Sequence, residues 1–222
     1  MSTTLITGAN RGIGLELARQ LKQAGHDVIA VCRSSSKELD ALGVRVESGI
    51  ELTDGDQLAE LARRLGQTRL DLLINNAGVL RSSSLAEIED QLDDFRLQYE
   101  VNALGPLRVA RALLDHLNDG AKLIIITSRM GSIADNTSGG QYAYRMSKAA
   151  VNTAGVSLAH ELKDRRIAVG LLHPGYVRTG MTGNTGHIDP EEAAAGLIQR
   201  IEELSLETTG SFRHANGEDL PW

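Results

Sequence analysis

The sequence predicts a single α/β domain in which a parallel sheet is covered by helices on both faces. Short apolar runs of strand length recur from the N-terminus and alternate with segments of helical periodicity. The run at 121–127 is almost unbroken in its apolar character, as expected of a parallel strand covered on both sides. The turns after the first, fourth, fifth and sixth runs carry glycines, amides and hydroxyls, which suit a crevice at the carboxyl ends of parallel strands. At 222 residues the chain can bury a full core and fits one domain better than two. No repeat or linker divides it, so 1–222 reads as one unit.

The first strand covers 3–7, and Gly8-Ala9-Asn10-Arg11-Gly12-Ile13-Gly14 turns into a helix ending near Ala24. Glycines at 8, 12 and 14 allow a tight turn, close approach of backbone to a pyrophosphate, and packing of helix on strand. The helix N-terminus then faces the phosphates. A second strand at 28–32 ends in Cys32-Arg33 and three serines. Where an NAD-choosing site usually offers an acid, Arg33 and Arg11 can together clamp a 2'-phosphate; otherwise each is a solvated surface charge. Cys32 reads as a small apolar strand residue.

A third strand at 44–48 precedes a helix through Leu65, with Thr53 or Asp54 as its cap. Glu51 lies where an adenine amino group could be met. The fourth strand, 70–74, ends in Asn75-Asn76-Ala77-Gly78, small and amide residues that suit a nucleotide crevice and equally a structural turn. A long amphipathic helical segment follows from about Asp90 to Leu117, with Pro106 expected to bend it beside Asn102. Asn102 alone reads as a helix-bend residue. Ser128 follows the fifth strand, and serine there is ordinarily a turn former.

Tyr144 opens a helix to about Lys163, and the sixth strand spans 167–172. His173 reads as a strand-end residue whose neighbourhood leaves open a substrate contact. The next turn, Pro174-Gly175-Tyr176-Val177-Arg178-Thr179, offers amides to a carboxamide and a hydroxyl from Thr179. Asp189-Pro190-Glu191-Glu192 starts a helix to about Leu204, with Asp189 as cap and proline at N1. Gly210-Ser211-Phe212 makes a last edge strand.

The net charge of −6 and the 3% aromatic content leave no basic stripe or stacking platform for nucleic acid. A single cysteine suits a reducing cytoplasm, and no apolar run is long enough to span a bilayer. The six histidines are scattered without metal-ligand spacing. A soluble cytoplasmic protein with no metal is the expectation.

Tyr144-Arg145-Met146-Ser147-Lys148 places a phenol and an ammonium on one helix face, where the charge favours phenolate near neutral pH. Together with the glycine turn, Asn75-Asn76-Ala77-Gly78, Ser128 and Pro174-Gly175, this stretch resembles the short-chain dehydrogenase/reductase family over essentially the whole chain. Arg129-Met130-Gly131-Ser132-Ile133 and the Pro221-Trp222 ending are similar to its carbonyl-reductase and C-factor-like branch.

The resemblance implies a Rossmann-type sheet of about seven strands ordered 3-2-1-4-5-6-7. It implies an NADP(H)-dependent oxidoreductase acting on a small-molecule carbonyl or alcohol. Its tetrad falls on Asn102, Ser128, Tyr144 and Lys148. Tyr144 is then the general acid/base, Lys148 binds ribose hydroxyls and lowers the phenol's pKa, Ser128 orients the carbonyl, and Asn102 positions a relay water. The implied cofactor-binding set is Gly8, Asn10, Arg11, Gly12, Ile13, Gly14, Arg33, Glu51, Leu52, Asn76, Ala77, Gly78, Tyr144, Lys148, Pro174, Gly175, Val177 and Thr179. Ser132 is an alternative to Ser128, because the loop between Ser128 and Tyr144 is longer than in many members. The segment at 181–188 is short where relatives carry a covering helix pair, so the pocket is expected to be open. A homodimer through the helices starting near Asp90 and Tyr144 fits family habit, although carbonyl-reductase relatives can be monomeric. The rival is a cofactor-binding sensor or signalling protein of the same fold with little turnover.

Overall fold

The computed structural model describes all of residues 1–222. The strands are β1 (Thr3–Thr7), β2 (Asp27–Val31), β3 (Arg45–Glu47), β4 (Leu70–Asn75), β5 (Leu117–Ile126), β6 (Ala168–His173) and β7 (Ser211–His214). All pair in parallel, in the order β3-β2-β1-β4-β5-β6-β7. The helices are α1 (Gly12–Gln23), α2 (Lys37–Asp40), α3 (Gly55–Leu65), α4 (Leu92–Tyr99), α5 (Gly105–Ala112), α6 (Tyr142–Glu161) and α7 (Pro190–Glu203).

Alternation along each strand splits the core in two. Leu5, Leu73, Leu123, Ile125 and Val169 face one layer with Leu58 and Leu61 of α3, Val109 of α5 and Val151 of α6. Ile6, Ile74, Ile124 and Leu172 face the other, against Leu17 and Leu21 of α1 and Leu197 and Ile201 of α7. These are the two covered faces that the apolar strands require.

Several expectations are corrected. The helical segment after Asp90 tightens into a 3-10 turn over Leu114–His116, and Leu117 itself opens β5, because it pairs with Leu70 and is fully buried. A ladder irregularity between Leu70 and Leu72 absorbs the extra β5 residues. The helical break lies ahead of Pro106, as a π turn over Glu100–Leu104 in which the Gly105 amide donates to the Glu100 carbonyl. The helix carrying Tyr144 starts at Tyr142. Its start borrows an acceptor from far away, since the Ala143 amide donates to Ser83 Oγ at 3.0 Å. Asp189 does not cap α7 with its side chain; Arg178 Nε donates to Asp189 Oδ1 at 2.7 Å, and the competing charge takes the carboxylate. Asp54 does cap α3, accepting from the Asp56 and Gln57 amides. The short α2, absent from the sequence reading, is capped by Ser36.

Candidate active site

Gly8 and Gly12 occupy the left-handed region, with φ of +67° and +55°. A Cβ on Gly8 would stand 2.9 Å from Ala77 Cα, and one on Gly14 would collide with the Gly8 carbonyl and reach within 2.5 Å of Asn76 Nδ2. The turn is thus stitched to the end of β4. Asn76 Nδ2 donates to the Thr7 and Gly8 carbonyls at 3.0 and 3.1 Å, and the Asn76 and Ala77 amides donate to Thr7 Oγ1. Asn76 is a cross-strand staple, and Ala77 is the floor beneath Gly8. Asn10 Nδ2 donates to the Ser34 carbonyl at 2.9 Å, tying the turn to the loop after β2. Ile13 packs into the α1 side of the core. Arg11 holds the N-cap position of α1 with no side-chain bond to the helix amides, which leaves them directed at the crevice.

On the far side of the turn, Thr179 Cγ2 lies 3.4 Å from where a Gly12 Cβ would sit. The loop after β6 therefore folds back over the glycines. Gly175 (φ +96°) has Ile188 and His214 close to the place of a side chain, and buried Val177 bridges to Ile188. Pro174 immediately follows β6. Towards β2, Arg33 is largely exposed and donates to Glu51 Oε2 at 3.4 Å. Leu52 is turned into the core beside Gly105, so only its backbone is available to a ligand. Cys32 is buried, and burial raises its pKa.

Tyr144, Lys148, Ser128 and Asn102 are all buried at the carboxyl end of the sheet. Lys148 Nζ donates to the Ile126 carbonyl at 2.9 Å and stands 5.7 Å from the Tyr144 ring centroid. Burial pushes the Tyr144 phenol up to about 12, opposed by a hydrogen bond with the Ser128 hydroxyl. Burial pushes Lys148 down to about 8. Desolvation is the leading cause for both groups. With a pKa near 8, Lys148 still carries its charge at neutral pH.

The two serines make different bonds. Ser128 Oγ accepts from the Met130 amide and meets the Tyr144 phenol. Ser132 Oγ donates to the Trp222 carbonyl at 3.0 Å and accepts from the Asp135 amide, so it is engaged elsewhere. Asn102 grips Val79 in both directions, with its Oδ1 accepting from the Val79 amide and its Nδ2 donating to the Val79 carbonyl, each at 2.8 Å. Its Nδ2 also donates to Ser147 Oγ at 3.1 Å. A Cβ on Gly78 would meet both Asn102 Oδ1 and Lys148 Nζ, at 3.2 and 3.8 Å, so only glycine leaves that corner open.

Four features escaped the sequence reading. Ser147, inside the Tyr144–Lys148 stretch, links Asn102 to the Tyr144 carbonyl. Asn75 is buried with neither amide atom partnered. Thr127 donates to Asn152 Oδ1 at 2.6 Å. His173 stands edge-to-face with His214, ring centroids 4.8 Å apart. A signal existed for Asn152, which lies one helical turn beyond Lys148; none existed for His214, which long-range pairing brings in. No group of three or more His, Cys, Asp or Glu side chains is arranged to hold a metal, and no helix is long and apolar enough to cross a membrane.

Residues 2–189 match the short chain dehydrogenase family. The chain is 44% identical over 228 residues to 1-hydroxy-2-glutathionyl-2-methyl-3-butene dehydrogenase of Rhodococcus sp. (strain AD45), covering all of both chains. Its fold superposes on NADPH-bound carbonyl reductase from chicken fatty liver with a TM-score of 0.90 at 29% identity, covering 100% of this chain and 99% of the other. A carbonyl reductase from Pseudomonas aeruginosa PAO1 gives 0.88 at 35% identity, with both chains fully covered.

Proposed function

The chain belongs to the short chain dehydrogenase family, and from that premise we propose an NADP(H)-dependent oxidoreductase that interconverts a carbonyl and an alcohol with Tyr144 as general acid/base. The observation that carries the proposal is the buried cluster of Tyr144, Lys148 and Ser128 at the mouth of the glycine-lined crevice. That turn fits a dinucleotide: glycines at 8 and 14 let it pack directly against Ala77 and Asn76 at the end of β4, and the first amides of α1 have no side-chain acceptor. Gly8 to Gly14 would hold the pyrophosphate, Lys148 the nicotinamide ribose, and the loop from Pro174 to Thr179 the carboxamide. Arg11 and Arg33 would hold a 2'-phosphate, a reading that the NADPH-bound relative supports. Bound NADP(H) supplies or takes up a hydride.

The remaining chemistry belongs to side chains. Ser128 and the Tyr144 phenol converge on one substrate oxygen and fix its direction. Tyr144 gives that oxygen a proton in reduction and removes it in oxidation. A pKa near 12 keeps the phenol a donor at neutral pH, and the nearby Lys148 ammonium stabilises the phenolate left behind. Asn102 holds the loop after β4 against α6, and its Oδ1 faces the same corner as Lys148, where a water could carry the proton onward.

Turnover of aldehydes, ketones and quinones with NADPH tests the reading. Oxidation of NADPH that disappears in Tyr144→Phe supports it. Tight NADPH binding without turnover across the panel would favour a sensor. A homodimer through α4 and α6 would cover Leu97, Tyr99 and Met146, which are exposed on those helices; sedimentation of the purified chain decides it.

A further inference from the structure

The chain between Ser128 and Tyr144 leaves the sheet, crosses the surface and returns as α6, and little in its own composition orders it. Every residue from Asn136 to Gly140 is exposed, so no buried apolar side chain anchors this stretch. Gly139, Gly140 and Gln141 lie one after another in the left-handed region, with φ of +64°, +62° and +50°. Gln141 has a side chain, and its backbone keeps that conformation only where the surroundings hold it.

The residue after the phenol supplies the hold. Arg145 Nε donates to the Gly139 and Gly140 carbonyls at 3.3 and 3.2 Å, and its Nη2 donates to Ser138 Oγ at 2.8 Å. The same guanidinium reaches the opposite end of the loop, where Nη1 donates to the Met130 carbonyl at 3.4 Å. Every acceptor its side chain meets thus belongs to this one loop. A planar fork of five donors can span acceptors on two segments at once, whereas the compact ammonium of a lysine cannot.

Met130 is the link to the site. Its amide donates to Ser128 Oγ at 3.1 Å, and the Ser128 hydroxyl in turn bonds the Tyr144 phenol. The turn over Arg129–Gly131 is also seated directly on α6, since a Cβ on Gly131 would stand 2.7 Å from the Lys148 carbonyl carbon. A close backbone approach and the Arg145 fork therefore tie the turn carrying Ser128 to the helix carrying Tyr144. The middle of the loop is held separately, with the Ala134 amide and Ser132 Oγ both donating to the Trp222 carbonyl, at 2.7 and 3.0 Å. Loss of Arg145 consequently frees the two ends of the loop and leaves its centre attached.

We propose that Arg145 is a positioning residue: by gripping both ends of the loop it holds Met130, and through Met130 the Ser128 hydroxyl, in register with the Tyr144 phenol. This rests on the oxidoreductase reading above, with Ser128 orienting the substrate oxygen. In this role Arg145 touches neither substrate nor cofactor.

The test is a double-mutant cycle, with kcat/KM for carbonyl reduction by NADPH measured in wild type, Arg145→Lys, Ser128→Ala and the double variant. Arg145→Lys, which keeps the charge and loses the fork, should fall about tenfold or more, with NADPH affinity by titration within about threefold of wild type. In the Ser128→Ala background the same substitution should cost less than about twofold, because no hydroxyl remains to be placed. A residue that only stabilises the fold costs the same in both backgrounds, so equal losses overturn the proposal. Wild-type turnover in Arg145→Lys also overturns it. Should Arg145→Lys melt too low to assay, Ser138→Ala removes one acceptor of the guanidinium and should show the same dependence on Ser128 at about two- to fivefold. Failure of the wild type to oxidise NADPH with any carbonyl compound would instead remove the oxidoreductase reading, and this role with it.

Discussion

Asn102 Nδ2 donates to Ser147 Oγ at 3.1 Å, and Ser147 Oγ donates to the Tyr144 carbonyl at 2.8 Å. The π turn between α4 and α5 is thus wired to the helix that carries the phenol and the ammonium. Asn102→Ala cuts this wire and leaves the amide and carbonyl of Val79 without their partner, at about 1–3 kcal/mol for each group that stays buried. The expected result is a melting temperature lower by several degrees together with lost turnover, checked by calorimetry and NADPH oxidation. An unchanged melting temperature would show that water replaces the amide.

Tyr144→Phe removes only a hydroxyl from a buried ring. Turnover should fall by at least about 100-fold, with NADPH affinity within about threefold of wild type by titration. In the wild type, a phenol held near 12 is fully protonated between pH 6 and 8, so carbonyl reduction should be flat there with respect to this group. Alcohol oxidation, which needs phenolate, should climb from pH 7 to 10. A reductive rate that falls through pH 7 would place the acid on another residue.

Lys148 is held near 8, against 10.5 for an unperturbed lysine. Between those values the unfolded chain binds the proton and the folded chain does not, so stability rises with pH across that window; the penalty is complete below it. Lys148→Met should therefore melt above wild type at pH 7, with the gap closing towards pH 10.5, while turnover is lost. A lower melting temperature at pH 7 would mean that the bond to the Ile126 carbonyl outweighs the desolvation of the charge.

Arg33 reaches only the Glu51 carboxylate, at 3.4 Å and largely in solvent, a pair worth little to the fold. Arg33→Ala should leave stability unchanged and weaken NADPH about 10- to 100-fold while hardly touching NADH. Arg11→Ala should discriminate in the same direction. Equal losses for both nucleotides would end the phosphate-clamp argument.

Gly14→Ala places a methyl group against the Gly8 carbonyl and Asn76 Nδ2. Backbone and staple must both shift, so dinucleotide affinity should collapse with a marked drop in melting temperature. Gly49→Ala, at a positive φ but with open space around it, should cost stability alone.

Much of this was legible in the sequence because period and punctuation are local. The apolar runs located the seven strands, and Gly8 to Gly14 located the crevice. Tyr144 and Lys148 share a face by helical spacing alone. What was not legible depends on partners distant in sequence: Ser83 at the start of α6, Trp222 on Ser132, and Arg178 taking Asp189 from its helix. Burial at Tyr144 and Lys148 was not legible for a related reason, because spacing reports proximity of charges and not the water stripped from them. The four-residue α2 was hidden by the serines that flank it, one of which proved to be its cap.

The hydroxyl of Ser83 that begins α6 comes from sixty residues earlier, in the connection between β4 and α4. Connection and helix are consequently one mechanical piece at that point. A ligand that displaces this connection must either break the bond or drag the first turn of the helix with it, and Tyr144 rides on that turn. Large substrates would then be excluded by misalignment of the acid as well as by bulk.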